Sequence, residues 1–208
     1  MYLDFHHHHS FLEHGIYNLN AEDADYPYFF SAGLHPSAIT GHWQEDLERV
    51  KRLSLEKNCL AVGECGLDSL IETSYQLQKK VFEEQVRWAE EIRKPVIIHC
   101  VRRYPEIIEL CRGISVAKVI HGFNRKLSLA KELIAEGFYL SFGNALLHSV
   151  SLQQTVRELP LERIFLETDD KELQISNLYE TLAFIKQLPL EDISKQMTYN
   201  FNSFTNER

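Results

Sequence analysis

Seven times along this chain a short apolar run stops at a polar or glycine residue, and most of these stops are followed by a helical pattern. Tyr2 to Phe5 leads into His6, Tyr28 to Leu34 into His35, Leu60 to Gly63 into Glu64, and Pro95 to Ile98 into His99. Ala117 to Ile120 leads into His121, Phe138 to Phe142 into Gly143, and Arg163 to Thr168 into Asp169. An eighth, weaker run spans Gly15 to Leu19. Apolar runs of this length without strict alternation are those of strands buried on both faces, as in a parallel sheet. Between them, apolar residues recur at three- and four-residue steps over 45–57, 74–93, 106–111, 127–136 and 176–187, the period of helices packed by one face. About eight strands alternating with helices predict an α/β chain closed as a compact (β/α)8, TIM-like barrel.

Length sharpens that expectation. The 208 residues suit one domain over 1–208 but fall short of the roughly 250 typical of such a barrel. The shortage lies between Phe5 and Tyr28, where two loops, a helix and a strand do not fit; the expected first helix is missing or vestigial, with Gly15 to Leu19 as a short second strand. At 44% hydrophobic and 25% charged the composition is that of a globular chain with a substantial core. No apolar run approaches the roughly 18 residues of a membrane helix, and no basic segment followed by an apolar stretch opens the chain, so a cytoplasmic location is the default expectation. Cys59, Cys65, Cys100 and Cys111 form no CxxC pair and are expected to act as small hydrophobes in a reducing compartment.

In a parallel barrel the C-terminal ends of all strands open on one face, where active sites sit. His6, His8, Glu64, His99, His121 and Asp169 all fall there, from five strands. His6 and His8 lie two apart in an extended segment, so both rings point the same way. Taken singly, the four-histidine run could be a solvated turn or a tag remnant, and His99 or His121 a core histidine; their joint occurrence at equivalent strand ends points to metal. Imidazole and carboxylate ligands without thiolate suit zinc, manganese or magnesium. Six ligands exceed the needs of one tetrahedral ion and suit two divalent metal ions sharing a carboxylate and an activated hydroxide. His14, His42 and His148 lie off the strand ends and read as surface residues, while His35 faces the site without a settled role.

Several longer motifs support a resemblance. Asp4 to His8, Gly33-Leu34-His35-Pro36, Val62 to Asp68, Gln78-Phe82-Gln85, Pro95 to Cys100, Ile120 to Phe123, Leu166 to Asp169, and Asn200 with Phe204 are together similar to the motif series of TatD-type metal-dependent hydrolases. That resemblance covers nearly the whole chain and implies an amidohydrolase-like barrel hydrolysing phosphodiester bonds, a deoxyribonuclease of 3′ exonuclease type. It also implies a first metal on His6, His8, Glu64 and Asp169, and a second on Glu64, His99 and His121, with Glu64 bridging. Glu64 and Asp169 are the catalytic candidates, Asp169 orienting the attacking water and accepting its proton. Three features depart from the family pattern: the missing helix, Asp170-Lys171 after the last ligand, and Gly122 to Lys126 after His121.

Arg102, Arg103, Asn124 and Arg125 follow ligands directly and are candidate phosphate contacts; a solvated helix face is the alternative for the basic ones. The net charge of −8, which two divalent cations would halve, predicts local binding of a DNA phosphate rather than tight association with long nucleic acid. Hydrolysis of an amide or lactone, or an accessory barrel acting with a partner, are the competing expectations.

Overall fold

The structure is a computed structural model that describes residues 2–19 and 26–206. Eight parallel strands run in sequence order: β1 (Asp4–His7), β2 (Gly15–Asn18), β3 (Phe30–Ala32), β4 (Cys59–Asp68), β5 (Val96–Val101), β6 (Lys118–Ile120), β7 (Phe138–Phe142) and β8 (Ile164–Leu166). The ring closes between β1 and the end of β8, where Asp169 N–H donates to the His6 carbonyl at 3.1 Å and His8 N–H to the Asp169 carbonyl at 3.0 Å. The expected (β/α)8 barrel is thus observed, including its weak second strand.

Helices α1 (Trp43–Ser54), α2 (Tyr75–Ile92), α3 (Tyr104–Leu110), α4 (Leu127–Ala135), α5 (Ala145–His148), α6 (Val150–Glu158), α7 (Ile175–Lys186) and α8 (Leu190–Asn206) lie around it. Residues 8–14 between β1 and β2 form turns and no helix, so the first helix is absent. The α5–α6 pair and α8 were not among the expected helices. None of the helices among the described residues is long and apolar enough to cross a membrane.

The barrel interior is built in two storeys. Phe5, Ile16, Ala61, Ile97, Val119, Tyr139 and Phe165 form an apolar lower layer, closed from below by Phe204 of α8. Phe5 stacks on Phe165 at 3.9 Å between ring centroids, and Phe204 meets both rings edge-on. Asn200, one turn earlier, donates to the Leu161 and Ile164 carbonyls. The closing Asn-x-x-x-Phe motif is thereby a clamp and a floor.

Side chains two apart on a strand share a face, so the residue two beyond each floor residue belongs to the upper storey: Asn18 above Ile16, His99 above Ile97, His121 above Val119, Ser141 above Tyr139 and Glu167 above Phe165. Strands β1 and β4 need a correction to join this layer. On β1, Asp4 and His7 pair with Gly15 and Tyr17, three steps against two. On β4, Val62 and Cys65 pair with Val96 and Ile98, again three against two. A bulge resets strand parity, so Phe5 and His6 both face inward, as do Ala61 and Glu64.

Glycine supplies the close approach beside the β4 correction. A Cβ on Gly66, where φ is 155°, would lie 1.9 Å from the His99 carbonyl oxygen. We expect Gly66→Ala to cost about 2–4 kcal/mol, from backbone strain and forced separation of β4 from β5. Gly41→Ala, which meets nothing within 4 Å, should change stability little. Urea midpoints for the two variants check this; equal midpoints would refute the close-approach account.

Candidate metal centre

Glu64 stands at the centre of the upper storey, only 5% exposed. Its two oxygens face different groups. Oε2 lies 3.6 Å from His6 Nε2 and 3.2 Å from His8 Nε2. Asp169 Oδ1 completes this side, 3.8 Å from His6 Nε2 and 3.4 Å from His8 Nε2. Oε1 touches His121 Nε2 and lies 3.7 Å from His99 Nδ1, while those two nitrogens are 3.3 Å apart. All six residues singled out in the sequence therefore converge, in two groups that share one carboxylate.

The donor set fits divalent cations. His6 is fully buried, and neither ring nitrogen has a hydrogen-bond partner among the described residues. Ligands about 2.1 Å from a tetrahedral cation are about 3.4 Å from one another, which the His6, His8, Glu64 and Asp169 spacings of 3.2–3.8 Å match. The four cysteines are buried, and none belongs to a ligand group.

The histidines are oriented from behind. His99 Nε2 bonds Asp68 Oδ2 at 3.1 Å, which leaves the Nδ1 lone pair directed at Glu64. His121 Nδ1 faces Glu167 Oε1 at 3.6 Å, and that buried carboxylate oxygen accepts the Gly122 N–H at 2.6 Å. Asn18 steers Glu64 itself, donating Nδ2–H to Oε2 at 3.2 Å and accepting the Glu64 N–H at 3.0 Å. Asp4 holds the Asp169 loop by accepting the Thr168 N–H and hydroxyl at 2.9 and 2.6 Å.

Two glutamines of α2 set the adjoining loops. Gln78 exchanges hydrogen bonds with the Asp68 backbone, and Gln85 with that of Leu34. Asp68 and His35 are placed by these contacts. The supporting roles of Asn18, Asp68 and Glu167 were not recognised in the sequence. Asp68 and Glu167 lie inside quoted motifs and at strand ends, a signal that was available; Asn18 ends the weakest strand and carried none.

The electrostatics follow from burial and neighbours. Burial alone would raise Glu64, but His121, His6 and His8 outweigh it and hold its carboxyl well below the usual range. Asp169 is lowered in the same way, burial opposing and His8, His121 and His6 prevailing. Burial works against charge on His8, yet Asp169 and Glu64 hold its pKa up at about 9. His121 is raised well above its ordinary value against its own burial, by Glu64 and Glu167.

His35 differs from the six. Burial, with His99 beside it, pushes it down to about 4. Its Nδ1 accepts the Ser37 N–H at 3.2 Å, so the neutral ring carries its hydrogen on Nε2. Its ring lies 4.3 Å from that of His99, and it joins Glu64 and His99 in a group of potential ligand atoms within 4.8 Å of one another. In this tautomer His35 offers the site a donor rather than a lone pair.

The four candidate phosphate contacts lie outside these ligand groups. Arg102 is exposed at the end of β5. Arg103 pairs with Glu106 at 2.8 Å and lies 4.8 Å over the Tyr75 ring. Asn124 and Arg125 are exposed and line a groove between α4 and α6. His14, His42 and His148 are exposed, as expected.

Comparisons with known proteins agree with this architecture. The chain is 28% identical over 196 residues to the uncharacterized metal-dependent hydrolase YabD of Bacillus subtilis, covering 85% of this chain and 77% of the relative. It is 28% identical over 191 residues to YcfH of Escherichia coli K12, which carries the same description, covering 83% and 71%. The crystal structure of YjjV, a TatD homologue from Escherichia coli K12, superposes with a TM-score of 0.84 at 20% identity, covering 99% of this chain and 98% of that one; the fold is shared. The profile of the family described as TatD related DNase matches residues 14–206, so this chain belongs to the TatD family.

Proposed function

We propose that this chain is a metal-dependent hydrolase that cleaves phosphodiester bonds in DNA, with the action of a 3′ exonuclease. The observation that carries the proposal is the division of Glu64, whose Oε2 faces His6 and His8 while Oε1 faces His99 and His121. One carboxylate turned toward two ligand groups is the arrangement of a bridged metal pair, with His6, His8 and Asp169 on one side and His99 and His121 on the other. Such a pair supplies Lewis acidity and lowers the pKa of water. The family description and the names of the relatives support hydrolysis, and the DNA substrate rests on the family alone.

The chain's own residues then divide the work. Asp68 and Glu167 keep the two second-group rings turned inward. Asp169, a third exposed at its side chain and held ionised, is placed to orient the attacking water and accept its proton. His35 presents its Nε2–H to the same space as a donor for a phosphoryl oxygen. Asn124 and Arg125 would hold the strand beyond the cleaved bond, with Arg102 as a further exposed cation. The deciding experiment incubates the metal-loaded protein with single-stranded DNA, a lactone and a dipeptide; cleavage of either of the latter in preference to DNA would overturn the substrate assignment.

Three outcomes test the site. Metal saturation should give two equivalents per chain by elemental analysis, and Glu64→Ala should bind fewer and lose turnover while remaining folded; a parent that never exceeds one equivalent refutes the pair.

Asp169→Asn keeps an oxygen ligand but accepts no proton. It should retain metal and lose about 10²-fold or more in kcat, the usual scale for a general base. Near-parental turnover with both metals bound would reduce Asp169 to a ligand.

Metal affinity should depend on pH through His8. A cation needs the unprotonated nitrogen, and the raised pKa of His8, about 9, keeps the proton there through neutral pH. Affinity should therefore rise by about tenfold per pH unit up to about 9, the folded-state pKa of His8, and level off beyond it. The contribution of charged His8 to stability in chelator runs oppositely: fully present below about 6.5, it is lost as pH rises through about 9. Calorimetric titration with one metal across this range reads the slope, and an affinity flat between pH 7 and 9 would contradict the proton competition.

A further inference from the structure

Behind the ligand atoms, four buried polar atoms have no hydrogen-bond partner among the described residues: His6 Nδ1, His121 Nδ1, Ser141 Oγ and Glu167 Oε2. Their residues stand on or just past neighbouring strands, β6, β7, β8 and β1. A buried polar atom left unpaired is costly, and four of them on one side of the barrel call for a common partner.

Register brings the four together. Ser141 pairs with Phe165 of β8, and its carbonyl accepts the Phe123 N–H at 2.9 Å, so β7 runs between β8 and the chain that follows His121. The Ser141 side chain, two residues beyond Tyr139, faces the interior and is fully buried. Glu167 lies along the same inner face: a Cβ on Gly143, two residues beyond Ser141, would come within 3.6 Å of Glu167 Cγ. Glu167 Oε1 takes the Gly122 N–H and stands 3.6 Å from His121 Nδ1, past hydrogen-bond distance. The rings of His6 and His121 are 4.8 Å apart between centroids and close the group toward the barrel centre. Ser141 has the smallest side chain of the upper storey, so the room within this group lies in front of its hydroxyl.

The donors and acceptors are complementary. Nε2 of His6 and Nε2 of His121 face Glu64. A cation there takes those lone pairs, and the hydrogen of each neutral ring then sits on Nδ1. Two N–H donors, one carboxylate oxygen and one hydroxyl are left around one space. A water molecule accepts two hydrogen bonds and donates two, and buried waters join two to four otherwise unpaired groups.

We propose that Ser141 is a positioning residue of the metal centre. With Glu167 Oε2 it holds a buried water that accepts from the Nδ1–H groups of His6 and His121 and so keeps both Nε2 atoms turned to the cation. His6 belongs to the first ligand group and His121 to the second, so one water braces both sides of Glu64. This role rests on the reading of Glu64 as a carboxylate shared by two ligand groups, and not on the DNA substrate.

The water itself is tested without metal. A crystal structure of the chelator-treated parent should place a water within about 3.2 Å of Ser141 Oγ and Glu167 Oε2; a site without one overturns the bridge. In the zinc-loaded parent, long-range ¹H–¹⁵N spectra should show the ring hydrogens of His6 and His121 on Nδ1, and a hydrogen on Nε2 of either ring overturns the brace.

Zinc affinity, read by competition with a chelator, tests the residue. Ser141→Ala should weaken zinc about tenfold or more, the scale of an outer partner of a metal ligand, with an unchanged urea midpoint in chelator. Ser141→Thr keeps the hydroxyl and should bind zinc nearly as the parent does. Parental affinity in Ser141→Ala, or equal loss in a Ser141→Thr variant as stable as the parent, overturns the proposal while leaving the metal centre in place. Weakened zinc binding in Ser141→Ala, in a protein whose zinc-loaded parent cleaves neither DNA nor bis(4-nitrophenyl) phosphate, would sink the phosphodiesterase reading and keep the brace.

Discussion

Glu64 carries a charge that the barrel has removed from water, and much of the upper storey can be understood as the answer to that cost. A buried carboxylate is costly unless hydrogen bonds and opposing charge are close. Four imidazoles and the Asn18 amide meet that need from strands β1, β2, β5 and β6. They can do so only if Glu64 faces inward, which simple alternation from Ala61 would forbid. The register shift between Val62 and Cys65 supplies the missing half-step. The corresponding shift on β1 lets Phe5 serve the floor while His6 and His8 serve the site. Local irregularity in two strands is what makes a regular floor and a polar storey compatible.

The alternation of apolar runs with helical periods made the barrel legible, and strand ends made the six ligand candidates legible, because both are consequences of short-range pattern. The helix over Tyr75–Ile92 shows this at its clearest: Val81, Phe82, Val86 and Ala89 are buried at helical spacing behind the Ser74 cap. What escaped is non-local. α6 has its own apolar stripe of Leu152 and Val156, but it follows a four-residue helix whose break at Ser149 interrupts the period. Asn18 acts on a residue 46 positions away, and nothing in a four-residue strand announces such a partner. Asp68 and Glu167 were visible as residues but not as supports, since the direction of a carboxylate depends on the histidine it backs. Arg103 shows the converse: sequence proximity to His99 suggested a phosphate contact, yet its guanidinium is engaged with Glu106 and Tyr75.

The motifs of the chain acquire separate physical meanings once the storeys are recognised. Gln78 and Gln85 look like surface amides by composition, but each satisfies backbone groups of a loop that carries a site residue. Asn200 and Phe204 lie far from the metal centre in sequence and at the opposite end of the barrel, where they bind the β8 entrance and cover the floor. A series of motifs spread over nearly the whole chain is thus partly chemistry and partly the rigid frame that chemistry requires.

Loss of the first helix bears on the place where the barrel closes. In a complete barrel a helix after β1 would help to brace that strand against its neighbours. Here the join of β1 to β8 rests on backbone bonds between His6, His8 and Asp169 and on the Asp4 carboxylate bound to Thr168. These are the same residues that form the first ligand group, or immediate neighbours of them. Closure of the fold and assembly of the site are therefore one event at this join: His6 and His8 reach Asp169 only when the ring is shut, and a cation held by the three would tie the two edges together. The short chain braces the entrance of β1 from α7, where the Tyr179 hydroxyl exchanges hydrogen bonds with the Leu3 backbone, and places the rest of its closing interaction inside the active face.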